Sequence, residues 1–272
     1  MRSYLLATAL FAPSLLVAQA PPADLARERA ERVHWLGQDP LSPARAITIA
    51  AIPPAGATLG PDGSDVVLPG VPLGTVREAN GRVTLSGWGA ERGLPIGRPT
   101  AMHGVRLVPL GTTGRMQLVV YQDDKPGKRP LFYPYARGAR QTVTLTPSTP
   151  KPQRILAPDG TSADATEIGT VTATIAGSTA TLRVMRIQLG ADESELLINF
   201  RDATTSHGTY PAGRFVELIP AGHDRYTLDL NRAFNPNCAY SNAFPCPFPW
   251  AGNEFQGKVE AGEKYPPGAV TR

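Results

Sequence analysis

The sequence has few of the residues on which metal and nucleophile chemistry depends. Its 272 residues include four histidines and two cysteines, and no H-E-x-x-H or H-x-H spacing occurs. A zinc site would therefore have to assemble from distant parts of the fold, and the sequence predicts no metal centre. The G-x-S-x-G pattern and the glycine patterns of nucleotide-binding loops are also missing, so it predicts no nucleophile elbow and no cofactor.

Charge is sparse as well. Charged residues make up 18% of the chain, and the formal net charge is only +4, with the lysines and arginines scattered along it. Proteins that bind nucleic acid usually concentrate basic residues on one face. The sequence therefore predicts no nucleic-acid partner.

Helical periodicity is confined to one stretch near the start. Residues 25–36 contain neither glycine nor proline, and Asp24 just before them is of a type that caps helices. The pattern predicts a helix over residues 21–37, capped by Asp24. It also predicts an i,i+4 ion pair between Glu28 and Arg32 on the helix surface.

The rest of the chain has the pattern of short strands and tight turns. Glycine and proline number 27 and 28, below the level at which disorder is the default expectation. Asn80-Gly81 lies between two alternating runs, which is a strong hairpin signal. Apolar or alternating runs lie at residues 47–50, 66–68, 75–77, 82–86, 105–110, 116–122, 170–175, 179–188, 195–200, 214–219 and 226–230. The prediction is an all-β fold, an antiparallel β-sandwich or barrel with one N-terminal helix.

A proline-containing segment at residues 146–153 divides this β-rich region in two. We therefore predict a helix and linker over residues 21–45, followed by an N-terminal β block over residues 46–150. A C-terminal β block over residues 151–272 completes the expected organisation.

The first twenty residues have the pattern of a secretory signal. Arg2 precedes an apolar run ending in Ala18-Gln19-Ala20, and the run is too short and too interrupted for a membrane span. We predict a signal peptide over residues 1–20, a periplasmic or secreted protein, and no integral membrane segment after signal removal. Pro21 disfavours cleavage directly after Ala20, so earlier cleavage and retention of the segment as an anchor both stay open.

The two cysteines, Cys238 and Cys246, lie in one proline-rich stretch near the C-terminus. In an exported protein, a close pair of this kind favours a disulfide. Such a short loop would stabilise the fold by roughly 2–3 kcal/mol in the chain-entropy model. Two free buried thiols are the alternative.

The stretch from Asn199 to Lys264, which includes both cysteines, carries a series of motifs in a fixed order. They are Phe200-Arg201-Asp202-Ala203-Thr204, Thr209-Tyr210, Ala212-Gly213-Arg214-Phe215, Asp229-Leu230-Asn231, Asn235-Pro236, Cys238-Ala239-Tyr240, Cys246-Pro247, Asn253-Glu254 and Ala261-Gly262-Glu263-Lys264. In this order the chain resembles the domain-of-unknown-function family numbered 1684. The match is specific over about the last third of the chain and looser upstream. The resemblance implies a domain identity and supplies no catalytic residues.

Charged and amide side chains gather at the ends of the strands predicted in this stretch. On antiparallel strands joined by a short connection, the end of one strand lies beside the start of the next, so Asp202 and Arg214 are expected to meet. Their role is either a structural ion pair among turn-capping amides or an anion site. The ligand-binding candidates are Asp202, Tyr210, Arg214, Asn231, Asn253, Glu254 and Lys264.

Two functions follow from these residues. The first is an exported β-rich binding or structural module whose polar loops recognise a small anionic or sugar-like ligand. The second is an extracytoplasmic hydrolase that uses the carboxylates of Asp202 and Glu254, with Arg214 clamping an anionic substrate. An enzyme needs a concave pocket that brings these groups together, whereas a module needs only a satisfied polar network.

Export is tested by the N-terminus of the mature protein. We expect N-terminal sequencing of protein recovered from the periplasm or medium to begin near Pro21 or shortly before it, because the small residues of Ala18-Gln19-Ala20 suit signal peptidase. Recovery of the full-length chain from the soluble cytoplasm would contradict the prediction.

Overall fold

The computed structural model describes residues 19–158, 162–188, 193–247 and 250–265. The predicted signal peptide lies outside these residues except for its last two positions. Within the described ranges, no helix combines the length and apolar character that a bilayer crossing requires.

The predicted helix is present as α1, Ala23–Gln38, and it buries Leu25 and Leu36. Pro22 occupies the N-cap position, so the assignment of Asp24 as the cap was wrong. Asp24 lies in the first turn instead, and its carboxylate accepts a hydrogen bond from Arg232 at 2.5 Å.

The N-terminal β block contains nine strands in two facing sheets that share one core. The first sheet has the order β1-β9-β8-β7, and the second has the order β3-β2-β4-β5-β6. Leu59 and Leu85 of the second sheet pack with Leu107 and Leu118 of the first. The strands are β1 Ala46–Ala51, β2 Ala57–Gly60, β3 Val66–Val67, β4 Gly74–Ala79, β5 Arg82–Ser86, β6 Arg92–Leu94, β7 Thr100–Met102, β8 Val105–Thr112 and β9 Arg115–Gln122.

The predicted hairpin joins β4 and β5. Ala79 pairs with Arg82, so Asn80 and Gly81 alone form the loop, with φ values of 52° and 76°. Positive φ at both positions is what a type I′ turn requires, and its twist matches that of the flanking strands.

The C-terminal block is built on one seven-stranded antiparallel sheet with the order β11-β17-β16-β15-β14-β13-β12. The sheet curls, so that the Thr174 amide donates to the side chain of Gln141 from a strand that is not its neighbour. Its concave side holds Leu182, Phe200 and Val216. The strands are β10 Leu131–Phe132, β11 Arg140–Thr144, β12 Thr146–Leu156, β13 Ser162–Ile175, β14 Ser178–Gln188, β15 Ser194–Phe200, β16 Arg214–Pro220, β17 Arg225–Asp229 and β18 Glu263–Lys264.

The segment predicted as a connection, residues 146–153, forms most of the edge strand β12. Proline is tolerated there because an edge strand needs only one side of its backbone for pairing, and the register shifts between Pro147 and Lys151. β10 and β11, although they precede residue 150, pair with β18 and β17 of the C-terminal block. The all-β class with one N-terminal helix is confirmed.

Candidate functional site

Asp202 and Arg214 form the ion pair that hairpin geometry predicts. Arg214 opens β16 directly opposite Phe200 at the end of β15, and its Nη2 lies 3.2 Å from Oδ1 of Asp202. Both side chains are 1% exposed. The guanidinium also lies over the ring of Phe200, 5.2 Å from its centroid.

The other donors of Arg214 are bonded to the C-terminal segment. Nη2 donates to the Val259 carbonyl at 3.0 Å, and Nη1 donates to the carbonyls of Ala261 and Glu263. Burial lowers the pKa of the Arg214 guanidinium, and the charge of Asp202 opposes that shift. Of the three guanidinium nitrogens of Arg214, Nε has no hydrogen-bond partner among the described residues.

The carboxylate of Asp202 is equally occupied. Oδ2 accepts hydrogen bonds from the Thr204 amide at 3.0 Å, the Thr204 hydroxyl at 2.7 Å and the Val259 amide at 2.8 Å. A general acid or base needs an oxygen that can exchange a proton with substrate. Because protein donors occupy Oδ2 of Asp202, this carboxylate holds the loop after β15 against the C-terminal segment.

Asn231 and Asn253 use their carboxamides to complete backbone pairing. Asn231 accepts from the Ala136 amide and donates to the Ala136 carbonyl, both at 2.9 Å. Asn253 does the same with Arg183 in β14, at 2.7 and 3.0 Å. Both side chains are buried. Each therefore fixes a loop to a neighbouring segment, since a buried amide must find partners for both ends.

Tyr210 lies in a different cluster, with the two cysteines. Its hydroxyl donates to Sγ of Cys238 at 3.3 Å and lies 3.2 Å from Sγ of Cys246. The structure carries both cysteines as thiols, not as the predicted disulfide. Burial raises the pKa of Cys238, which keeps its sulfur protonated.

Glu254 and Lys264 complete the set of predicted residues. The side chain of Glu254 is exposed, and the backbones of Glu254 and Arg201 pair in an isolated parallel β-bridge. Lys264 places its ammonium 5.1 Å from the centroid of the Tyr133 ring.

Of the seven candidates, Asp202 and Arg214 alone touch each other through their side chains. Asp202 and Glu254 both line an open cavity of about 280 Å³ after β15, and Asn231 lines a separate cavity beside α1. Neither cavity is lined by more than two of the seven.

Another cavity lies between the two β blocks, and none of these seven residues lines it. It has a volume of about 960 Å³ and is lined by residues 51–54, 110–112 and 114–117 on one side and by parts of β12, β13 and β14 on the other. Three charged side chains line it, and two of them, Arg154 and Asp164, are paired with each other at 3.2 Å, whereas the third is Arg115.

A second buried ion pair attaches α1 to the C-terminal block. Nε of Arg32 lies 2.7 Å from Oε1 of Glu263, whose other oxygen accepts from the Tyr240 hydroxyl at 2.6 Å and the Asn235 amide at 2.8 Å. Glu28 is bonded to Arg232 instead of Arg32. The predicted i,i+4 pair of Glu28 and Arg32 was therefore wrong, because both side chains reach across to the C-terminal block.

Between α1 and this block lies a smaller cavity of about 220 Å³, which we call the arginine cavity. Three guanidiniums line it, those of Arg29, Arg32 and Arg232, together with the rings of Phe132 and Phe234. Reasoning from the sequence missed it, since its charged residues come from segments about two hundred positions apart, as in the Arg32–Glu263 pair. The sequence signals that could have pointed to it were weak: the three arginines of α1 near the start of the chain and the charged pair Glu263-Lys264 of β18 near its end.

Arg29 differs from the other two guanidiniums in having no carboxylate partner. Arg32 is paired with Glu263, and Arg232 with Glu28, whereas the described residues place no carboxylate within 4.0 Å of Arg29. Its Nη1 and Nη2 donate to the backbone carbonyls of Tyr133 and Asn231 at 3.2 and 3.3 Å.

The environment of Arg29 is also partly desolvated. Its Nε is buried with no partner among the described residues, and the guanidinium lies 4.8 Å from the centroid of the Phe132 ring. Burial lowers the pKa of this guanidinium and the charge of Asp229 opposes that shift, and an arginine stays charged at neutral pH. A partly desolvated cation with no carboxylate in direct contact favours the approach of an anion.

Comparison with known proteins identifies a family for the second half of the chain. A model of the family described as "Protein of unknown function (DUF1684)" matches residues 130–264. The chain is also similar to the solution NMR structure of an uncharacterized protein of Haloarcula marismortui, with 31% identity and a TM-score of 0.43 over 50% of this chain and 76% of that one. None of the curated proteins matches. The family match confirms the resemblance drawn from the motifs after residue 199.

Replacement of Arg214 tests the structural role of its ion pair. We expect Arg214→Ala to lower the free energy of unfolding by roughly 3–5 kcal/mol, because it leaves Asp202 buried without its cation. Asp202→Asn keeps a hydrogen-bond acceptor for Thr204 and should cost less. Urea denaturation measures both.

The exposed Arg201, which directly follows β15, supplies the control. Arg201→Ala should change stability by less than about 1 kcal/mol, as surface substitutions usually do. If Arg214→Ala unfolds at the same urea concentration as Arg201→Ala, the ion pair does not hold the fold together.

Proposed function

We propose that this chain, which belongs to the DUF1684 family through residues 130–264, is an exported binding module for a small anion. The arginine cavity is its ligand site. The observation that carries the proposal is Arg29, a guanidinium with no carboxylate partner among the described residues, at a cavity that two further guanidiniums line.

The cavity supports binding better than the residues singled out by sequence do. Asp202 and Arg214 make their hydrogen bonds to other protein groups, and so do the carboxamides of Asn231 and Asn253. A ligand at those positions would have to displace buried bonds, each of which is costly to leave unmade. At Arg29, an anion would instead supply the missing countercharge.

Two sides of the arginine cavity come from different parts of the chain. α1, Ala23–Gln38, precedes the family match, whereas Phe132, Phe234 and Glu263 lie within it. The ligand site is thus proposed to exist only when the helix is bound to the family domain. Arg32 and its partner Glu263 make that attachment.

The proposal of export rests on the signal pattern of residues 1–20, and export would determine whether the two cysteines are oxidised. In an oxidising compartment, Cys238 and Cys246 are proposed to form a disulfide, because both sulfurs contact the one hydroxyl of Tyr210. Closing this short loop would then add roughly 2–3 kcal/mol of stability.

Anion binding is tested by the thermal stability of the full chain in salts of matched ionic strength. Acetate, phosphate and sulfate are compared with chloride, and at least one of them should raise the Tm of the wild type, because a ligand of the folded state stabilises it. Arg29→Ala should abolish the rise, or weaken the apparent affinity by at least about tenfold, as loss of a charge-assisted hydrogen bond does.

Arg27 on the same helix is the matched control. It is exposed, and its ion-pair partner among the described residues is Glu31, at 3.9 Å. Arg27→Ala should keep the anion-dependent rise in Tm. Equal responses of Arg29→Ala and the wild type, or no response to any of the three anions, would exclude the proposed site.

The disulfide is tested by non-reducing peptide mapping of protein taken from the periplasm. We expect the peptides that contain Cys238 and Cys246 to be linked within one chain, and we expect protein prepared under reductant to have two alkylatable thiols. Two free thiols in the periplasmic protein would contradict the assignment.

A further inference from the structure

The charges around the arginine cavity restrict the anion that it can take. Three guanidiniums face two carboxylates, Glu28 and Glu263, in its lining. The lining alone therefore has one surplus positive charge, and the guanidinium without a carboxylate within 4.0 Å is that of Arg29. Asp24 and Asp229 lie 2.5 and 3.6 Å from the Arg232 guanidinium, and with them the wider cluster has one surplus negative charge. A monoanion would neutralise Arg29, whereas a dianion would add a second negative charge close to these carboxylates.

Apart from Asn231, whose carboxamide nitrogen donates to Ala136 and Asp229, the remaining lining of the cavity is apolar. Leu25 of α1, Phe132 of β10, and Ala233 and Phe234 after β17 contribute side chains to it. These groups cannot hydrogen-bond to the hydroxyls of a sugar or to the outer oxygens of a phosphate. They suit a hydrocarbon or aromatic group, whose transfer from water is favourable.

The size of the cavity limits the ligand further. Its volume of about 220 Å³ lies below the range of roughly 300–1,000 Å³ typical of pockets for drug-sized molecules. One free guanidinium is sufficient for one carboxylate, which it can bind through two parallel hydrogen bonds.

We infer that the ligand of the arginine cavity is a small monocarboxylate with a compact apolar group, of which benzoate is a suitable probe. This inference rests on the function proposed above and adds the ligand class to it. The carboxylate binds at Arg29, and the apolar group packs against Phe132 and Phe234. Inorganic phosphate is disfavoured because it has no apolar group and is partly a dianion at neutral pH, and neutral molecules of similar shape are disfavoured because they carry no negative charge.

The experiment measures binding of three probes to the full chain by isothermal titration calorimetry at neutral pH and constant ionic strength. The probes are benzoate, benzyl alcohol and inorganic phosphate. We expect benzoate to bind the wild type and Arg27→Ala, and to bind Arg29→Ala at least about tenfold more weakly. Benzyl alcohol should also bind at least about tenfold more weakly than benzoate, because it cannot neutralise Arg29.

Two further variants separate loss of the site from loss of the fold. Arg29→Lys keeps the charge but loses the planar fork, so its affinity for benzoate should lie between those of the wild type and Arg29→Ala. Phe132→Leu keeps an apolar side chain in the two-residue strand β10, and it should weaken the binding of benzoate while leaving the binding of acetate, titrated as an additional probe for this variant, unchanged. Circular dichroism of each variant shows that the fold is retained.

The outcomes distinguish this inference from the function on which it rests. If phosphate binds in an Arg29-dependent manner as tightly as benzoate or more tightly, the ligand class is wrong and the anion site stands. If benzyl alcohol equals benzoate, the carboxylate is not recognised and the inference falls. If no probe binds, or if benzoate binds Arg29→Ala as it binds the wild type, both the ligand class and the proposed site are overturned.

Discussion

The fold of the C-terminal block depends on the burial of one guanidinium, that of Arg214. The segment from Val259 to Glu263 has little regular structure of its own, since its end alone belongs to the two-residue strand β18. Three of its carbonyls accept hydrogen bonds from Arg214, while Asp202 supplies the countercharge and accepts from the Val259 amide. A buried arginine is tolerated only when such partners surround it. With these partners in place, Arg214 holds the irregular segment from Val259 to Glu263 in one position.

The position of that segment in turn determines how α1 is attached. Arg214 binds the backbone carbonyl of Glu263, and the side chain of Glu263 extends the other way to Arg32 and Tyr240. Glu263 is thus held between the core of the family domain and the helix. The arginine cavity lies between α1 and this segment, so its shape depends on the Asp202–Arg214 ion pair, although neither residue lines it. A role in stability for Asp202 and Arg214 is therefore compatible with a ligand site nearby.

Much of the architecture was predictable because it depends on short-range patterns. The helix follows from a stretch free of glycine and proline, and the β4–β5 hairpin from Asn80-Gly81, whose backbone adopts positive φ easily. The pairing of Asp202 with Arg214 was predictable for a related reason, since consecutive antiparallel strands bring their ends together. The prolines of residues 146–153 misled the prediction, because proline is excluded from central strands but accepted at an edge such as β12.

The sequence by itself determined the all-β class, the single helix, the family resemblance and one ion pair, all of which depend on residues close in the chain or on adjacent strands. Only the tertiary structure decided the partners of Glu28, Arg32 and Glu263, and with them the existence of the arginine cavity. Along the sequence, Glu28 and Arg32 have the spacing of a helical ion pair, and nothing local distinguishes that pairing from contacts with residues about two hundred positions away. Folding chose the distant partners, because closing α1 onto the C-terminal block buries Leu25 and Leu36 and places Arg32 against Glu263, whose carboxylate would otherwise be buried without a cation.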